Sequence, residues 1–246
     1  MIDNNRFEDV RDRICANDKI KMGIGTLSEK TVHSVLKHYY EPDIDYHEVI
    51  IGNYVADIYK DGKIKEIQTA AFNTMRSKLE YFLQEYEVTI IYPIPHIKWL
   101  NWINKDTKEV ESRRKSPKKG TEYLAFKELY RIKQYLKHPN LKLKLVLIDI
   151  EEYRLLNGWS KDKKKGSVRY DRIPLKIETE INIECIEDYM QLVPIELPEQ
   201  FTTKDYAKIT KLPQQRACTA LNILNYVGVI KRVGKKGNAY IYTVKY

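Results

Sequence analysis

No apolar run in this 246-residue chain approaches the length needed to cross a bilayer, so nothing in it reads as a membrane-spanning helix and no membrane partner is expected. Cysteine is scarce. Cys15, Cys185 and Cys218 are odd in number and far apart, which argues against a disulfide framework or a zinc pattern and points to a reducing cytoplasm. The five histidines are scattered, without a His-x-x-x-His helix or a nearby nucleophile signature. The first residues, Met1 to Glu8, lack the basic-then-apolar layout of a secretory signal. There is no internal repeat and no long low-complexity segment. The length suits one medium domain plus a small one.

What the chain does have is unevenly placed positive charge. The net charge is +9, yet Lys98 to Gly120 carries eight Lys/Arg against three acids, and Ser160 to Lys176 carries seven against two. From Glu196 onward there are nine against three. Charge sorted into patches is the footprint of a polyanion-binding surface, because each neutralised phosphate releases counterions. The basic run Arg113, Arg114, Lys115, Lys118 and Lys119 and the stretch from Lys161 to Arg172 are candidates to contact phosphate.

The most informative segment is Val55 to Thr69. Asp61-Gly62 between two runs rich in Val, Ile and Tyr signals a two-residue hairpin, since a type I′ turn needs positive φ at both central residues. Counting outward, Lys60 faces Lys63, Tyr59 faces Ile64, Ile58 faces Lys65 and Asp57 faces Glu66. Two carboxylates directly opposite each other repel, and Gln68 follows on the same face. Such a trio suggests a cation between them, although a simply solvated strand face is the plainer alternative. Gly52-Asn53 can close a second hairpin in which Ile51 faces Tyr54 and Glu48 faces Asp57. A single long strand bulged at Gly52 would instead leave Glu48 out.

Around this hairpin the periodicity predicts an order of elements. Thr26 to Tyr40 reads as a helix, with Thr26 and Glu29 as a capping box and Val32, His33, Leu36 and Tyr40 at helical spacing. After Thr69, a helix from Phe72 to about Tyr86 is expected, then a buried strand from Glu87 to Ile94. Tyr123 to Leu136 reads as a helix and Leu141 to Ile150 as a strand. A boundary falls near Pro194 to Glu199, dividing residues 1–195 from 196–246. Beyond it come a capped helix near Thr202 to Ile209 and a second helix opening at Leu212-Pro213, with Ala217, Ala220, Leu221 and Leu224 inward. Two β runs then flank a basic tip at Lys235 and Lys236.

This C-terminal pattern resembles a winged helix-turn-helix domain, with Ile186 to Leu192 as its first helix. That resemblance implies that Gln214, Gln215, Arg216 and Thr219 read base edges and that Lys235 and Lys236 meet phosphate or the minor groove. A winged helix used for protein contacts is the alternative. The first region, with its αβββαβ order, Asp57 near one strand end and Glu66-x-Gln68 on the next, resembles the PD-(D/E)XK nuclease superfamily. The resemblance covers roughly residues 26 to 94 and implies an α/β (α+β) restriction-endonuclease-like core. Asp57, Glu66 and Gln68 would then be catalytic. Mg²⁺ or Mn²⁺ would be held by Asp57 and Glu66, with Glu29 and Glu48 in support. Ala56 stands where the motif has proline and Gln68 where it usually has lysine. The implied function is a metal-dependent DNA endonuclease, with a homodimer as one arrangement. A non-catalytic DNA-binding regulator on a degenerate nuclease fold is the alternative, and a protein-interaction module is the third.

Overall fold

The computed structural model describes residues 2–21, 30–104, 107, 109–156 and 166–245. Glu29 and the first part of the Lys161 to Arg172 stretch lie outside them. The chain opens with helix α1 (Asn4–Lys21), followed by α2 (Lys30–Tyr40) and the strands β1 (His47–Ile51), β2 (Tyr54–Lys60) and β3 (Lys63–Ile67). Helix α3 (Arg76–Phe82) leads into β4 (Glu87–Asn104) and β5 (Val110–Lys115). A short helix α4 (Phe126–Leu129) precedes two long strands, β6 (Leu141–Leu156) and β7 (Ser167–Ile183). The C-terminal unit holds β8 (Phe201–Thr202), α5 (Thr203–Thr210), α6 (Gln214–Val227), β9 (Ile230–Lys236) and β10 (Ala239–Val244).

Seven strands form one mixed sheet in the order β1-β2-β3-β4-β6-β7, with β5 added to β4. Both expected hairpins form in the expected register. Asp61 (φ 50°) and Gly62 (φ 75°) are both left-handed, and Lys60, Tyr59 and Ile58 pair with Lys63, Ile64 and Lys65. Gly52 (φ 59°) takes positive φ while Asn53 does not, the pattern of a type II′ turn, and Ile51 pairs with Tyr54. The meander is therefore three-stranded, and the bulged single strand is excluded. β3 pairs in parallel with β4, and β4 with β6. A parallel centre must be covered on both faces, which is why Val88 to Ile94 reads as a nearly continuous apolar run. Ile91 enters a core with Phe7, Val10, Val35 and Leu36 of α1 and α2. Ile90 enters the opposite core with Phe72, Leu79, Phe82, Phe126 and Leu129.

Several expectations are corrected. Helix α1 is absent from the expected order, although Phe7, Val10 and Ile14 recur at helical spacing and are all buried. Asp3 caps it by accepting from the Arg6 N–H at 3.0 Å. The stretch expected as one helix from Phe72 starts as a 3-10 turn (Phe72–Met75) before α3. Tyr123 to Leu136 is also broken. A 3-10 turn leads into α4, and Ile132 leaves helical geometry (φ −117°, ψ 22°). Where a first helix of the C-terminal pattern was expected there is a 3-10 segment (Glu187–Leu192).

The largest difference lies in the long strands. β4 runs ten residues past Ile94, and parts of the basic stretches expected as connections, residues 113–115 and 167–172, lie in strands β5 and β7. Two prolines sit inside β4 without ending it. Ile91 offers its carbonyl to the Gln68 N–H at 3.0 Å, so Pro93 and Pro95 point toward the same edge, where β3 has already ended. Proline lacks a donor and is tolerated at such an edge. β5 takes up that edge again from Trp99 onward.

The C-terminal unit carries a smaller sheet in the order β8-β10-β9. The predicted inward residues Ala217, Ala220, Leu221 and Leu224 are fully buried, and Thr202 and Asp205 form the capping box of α5. This unit shares a continuous core with the larger sheet's flank. The Tyr206 hydroxyl donates to the Leu192 carbonyl at 2.9 Å, and its ring meets Tyr123 edge-on.

Candidate functional site

The ladder between β2 and β3 stops at Ile58 and Lys65, one pair short of Asp57 and Glu66. There the side chains take over from the backbone. Asp57 Oδ2 accepts from the Ile67 N–H at 2.8 Å, and Glu66 Oε1 accepts from the Asp57 N–H at 3.3 Å. Each carboxylate thus ties itself to the other's strand. The two like charges are brought together at the end of β3 by reciprocal hydrogen bonds, which the hairpin count alone does not predict.

Each carboxylate also has a basic partner from a flanking helix. His33 on α2 places Nε2 3.1 Å from Asp57 Oδ2. Lys78 on α3 donates to Glu66 Oε2 at 2.6 Å. α2 turns Val32, Val35, Leu36 and Tyr39 into the core, and its His33 and Lys37, four residues apart, meet the acids of β2 and β1.

The environments push the pair apart. Burial opposes ionisation of Asp57, but hydrogen bonds from His33 and the Ile67 N–H outweigh it and hold the carboxyl below its usual range. Glu66 is 4% exposed. Burial first, then the neighbouring Asp57, raises it to about 7, against the opposing pull of Lys78. One carboxylate is firmly ionised and the other is poised near neutrality, an arrangement suited to acid–base or cation-binding chemistry.

The other residues expected here are placed differently. Gln68 lies just past the end of β3, and its amide donates to the Ala70 carbonyl. Ala71 (φ 56°) then turns the chain away. Glu48 stands opposite Asp57 in register, yet it has positive φ (52°), and its exposed carboxylate pairs with Lys37. Glu29 lies outside the described residues. Among the described residues no three His, Cys, Asp or Glu side chains converge as a metal cluster. Asp57 and Glu66 make two hard oxygen donors. That number and chemistry fit Mg²⁺ or Mn²⁺, since Mg²⁺ keeps several waters and takes only one or two carboxylates.

Sequence reasoning missed a second charged centre. Glu152 on β6 is fully buried and meets four cations: Arg154 at 2.7 Å, Arg172 at 3.2 Å, Lys98 at 3.5 Å and Arg169 at 3.7 Å. Burial would raise its carboxyl, but these cations, Lys98 and Arg172 foremost, hold it down at about 2. The surplus of Lys/Arg in these stretches was the available signal. Only the pairing of β4, β6 and β7 gathers them on one carboxylate. Arg172 also lines a small cleft with Val32, Thr69, Pro93 and Pro95, just past Gln68.

The basic run sits farther along the same edge of β4. Arg113 stacks over Trp99 at 4.0 Å and pairs with Glu151 at 2.8 Å, while Lys115 lies 5.7 Å from the Trp99 ring. Arg113, Arg114, Lys115, Lys118 and Lys119 are exposed. Gly120 closes this run against β4. A Cβ there would come within 2.0 Å of the Pro95 carbonyl oxygen, so only glycine lets the backbones approach. In the C-terminal unit Gln214, Gln215 and Arg216 are exposed at the start of α6, with Thr219 half-buried one turn on. Lys235 and Lys236 are exposed on the hairpin, and Arg232 stacks 4.1 Å from the Tyr240 ring. A groove of about 600 Å³ between α6 and this hairpin is lined by Lys204, Gln214, Arg232, Lys236 and Tyr240.

Residues 30–184 match the family described as "Domain of unknown function (DUF8091)". The chain belongs to this family. The DUF8091 match runs from α2 to just beyond β7 and so contains Asp57, Glu66, Gln68, Lys78 and the Glu152 centre. The chain is also similar to an uncharacterized protein of Treponema pallidum (strain Nichols). The two are 28% identical over 228 residues, covering 90% of this chain and 87% of that protein. That similarity therefore extends past the DUF8091 segment into the flanking elements. No solved structure matches the chain. Among the described residues no helix is long and apolar enough to cross a membrane.

Proposed function

We propose that this DUF8091 protein is a cytoplasmic, divalent-cation-dependent nuclease that hydrolyses phosphodiester bonds in DNA, with its C-terminal unit acting as a winged helix that positions the duplex. The observation that carries this reading is the junction of Asp57 and Glu66 at the end of β3, where each carboxylate accepts a hydrogen bond from the other's strand. The helix–meander–helix–strand order around it supports a restriction-endonuclease-like core. The DNA reading is further supported by the basic edge from Arg113 to Lys119, the exposed start of α6 and the basic hairpin.

In this reading Asp57 and Glu66 hold Mg²⁺ or Mn²⁺, which supplies a lowered pKa for bound water and compensates charge on the phosphate. The protein's own contributions are distinct. His33 and the Ile67 N–H fix the Asp57 carboxylate, so that its orientation is set before substrate arrives. Burial of Glu66 keeps water from screening the charges that meet there. Arg113, Lys115 and the Lys118-Lys119 pair hold the backbone along the β4 edge, and α6 sets the register on the duplex.

The test is cleavage of mixed DNA substrates under Mg²⁺ or Mn²⁺ titration. Asp57→Ala and Glu66→Ala should abolish cleavage while leaving DNA binding in place. Full cation-dependent activity in the double variant would sink the proposal. The Gln68 amide bound to the Ala70 carbonyl favours a second reading, a DNA-binding regulator without catalysis. That reading predicts cation-independent DNA binding that survives loss of both carboxylates.

A further inference from the structure

A glutamine at position 68 leaves the candidate site without the ammonium expected two residues after Glu66, and the Gln68 amide is engaged by the Ala70 carbonyl. A cation nevertheless reaches the site from another element. Lys78 Nζ lies 2.6 Å from Glu66 Oε2, and its side chain is 20% exposed. Its Nζ also sits 5.6 Å from the Phe82 ring centroid, one turn along α3. The Lys78 side chain is therefore partly open to solvent, beside a carboxylate that is itself 4% exposed.

We propose that Lys78 is the substrate-contacting cation of this site, pairing with Glu66 at rest and holding the scissile phosphate against the Asp57–Glu66 pair when nucleic acid binds. This rests on the nuclease reading above. Three features argue for it over simple neutralisation of a buried carboxylate. Lys78 comes from α3, not from the strand that carries Glu66, so its ammonium reaches the carboxylate independently of position 68, which lies just past the end of β3. An ammonium is a compact charge on a flexible stem, able to exchange one oxygen partner for another in a way a bidentate guanidinium is not. The Lys78 charge favours the ionised form of Asp57 as well as that of Glu66, so it acts on both carboxylates of the pair.

The experiment compares wild type, Lys78→Met and the relocated double variant Gln68→Lys/Lys78→Met, with Lys78→Gln as a second replacement should the methionine variant fail to fold. Cleavage of a DNA duplex in Mg²⁺ is followed alongside duplex affinity in Ca²⁺ by fluorescence anisotropy. Mn²⁺ affinity without DNA is measured at pH 8 by electron paramagnetic resonance. Loss of Lys78 should lower kcat on the order of 10²-fold, the scale of removing one transition-state donor, with duplex affinity nearly unchanged. The relocated lysine should recover most of that loss. Mn²⁺ should bind Lys78→Met several-fold more tightly, because a competing ammonium has left Glu66.

If the wild type cleaves and depends on Asp57 and Glu66, unchanged kcat in Lys78→Met overturns the role of Lys78 and leaves the nuclease reading standing. A double variant no better than Lys78→Met overturns it too, because Lys78 would then be a structural partner only. If the wild type does not cleave, the nuclease reading fails by itself. The Mn²⁺ titration then decides whether Lys78 guards a cation site, and unchanged affinity rejects it.

Discussion

Glu66→Gln should stabilise the folded protein at pH 8 and leave it nearly unaffected at pH 4.5. Glu66 is 4% exposed, and burial with Asp57 alongside raises its carboxyl from 4.5 to about 7. A group whose folded pKa exceeds its unfolded one binds more protons when folded, so stability falls as pH rises through that window. At about 1.4 kcal/mol per tenfold change in ionisation, the ionised form costs on the order of 3 kcal/mol in the folded state. Glutamine keeps the shape and removes the charge, so the variant should gain up to about that amount above pH 7. Urea denaturation of both proteins from pH 4.5 to 8, without divalent cations, measures the difference directly. It should be near zero at the acid end, grow between 4.5 and 7, and then level off. Either of two results would refute the argument: a gain independent of pH, which would not come from Glu66 ionisation, or a loss at pH 8, which would mean that the Lys78 pair outweighs burial and repulsion. Millimolar Mg²⁺ should raise the stability of wild type at pH 8 and leave Glu66→Gln little changed, if the carboxylate pair holds the ion.

Other perturbations test separate parts of the molecule. Glu152→Gln leaves Lys98, Arg154, Arg169 and Arg172 gathered without their shared carboxylate, and should cost roughly 3 kcal/mol at pH 7 by urea denaturation. Because its carboxyl is held at about 2, that difference should persist above pH 4.5 and fade as pH falls toward 2. Phe72→Ala empties a fully buried position against Tyr92 (ring centroids 5.0 Å apart) and should cost about 3–5 kcal/mol in thermal or chemical unfolding. Lys235→Gln/Lys236→Gln should weaken duplex binding and flatten the log–log salt dependence by about one for each phosphate no longer neutralised. An unchanged slope would remove the hairpin from the DNA surface. Gly120→Ala should be destabilising by calorimetry, since the added methyl meets the Pro95 carbonyl oxygen at 2.0 Å.

Local chemistry made much of this protein legible in its sequence. Asp61-Gly62 and Gly52-Asn53 set two turns whose φ requirements few residues meet, and the strand register followed by counting. The spacing of Ala217, Ala220, Leu221 and Leu224 declared one buried face of α6, and each of them is buried. Asp57 and Glu66 could be matched because both belong to one hairpin. Elements whose residues answer to distant partners were not legible. β7 reads as a charged connection because Arg169 and Arg172 are satisfied by Glu152, which sits on another strand. The run from Tyr123 to Leu136 looks like one helix, yet only Phe126–Leu129, where Glu128 turns inward to accept from the Phe72 N–H at 3.1 Å, is α-helical, and Ile132 leaves helical geometry.

The candidate site divides in the same way. Its two carboxylates were set by a turn of two residues, where short-range sterics leave little choice. The cations that accompany them were decided by packing. His33 and Lys78 reach Asp57 and Glu66 only because α2 and α3 cover opposite faces of the sheet. Helical and strand periods state which face a residue occupies, but not which residue of another element will lie across from it. That pairing comes from long-range burial, which joins segments by volume and apolar area rather than by their order along the chain.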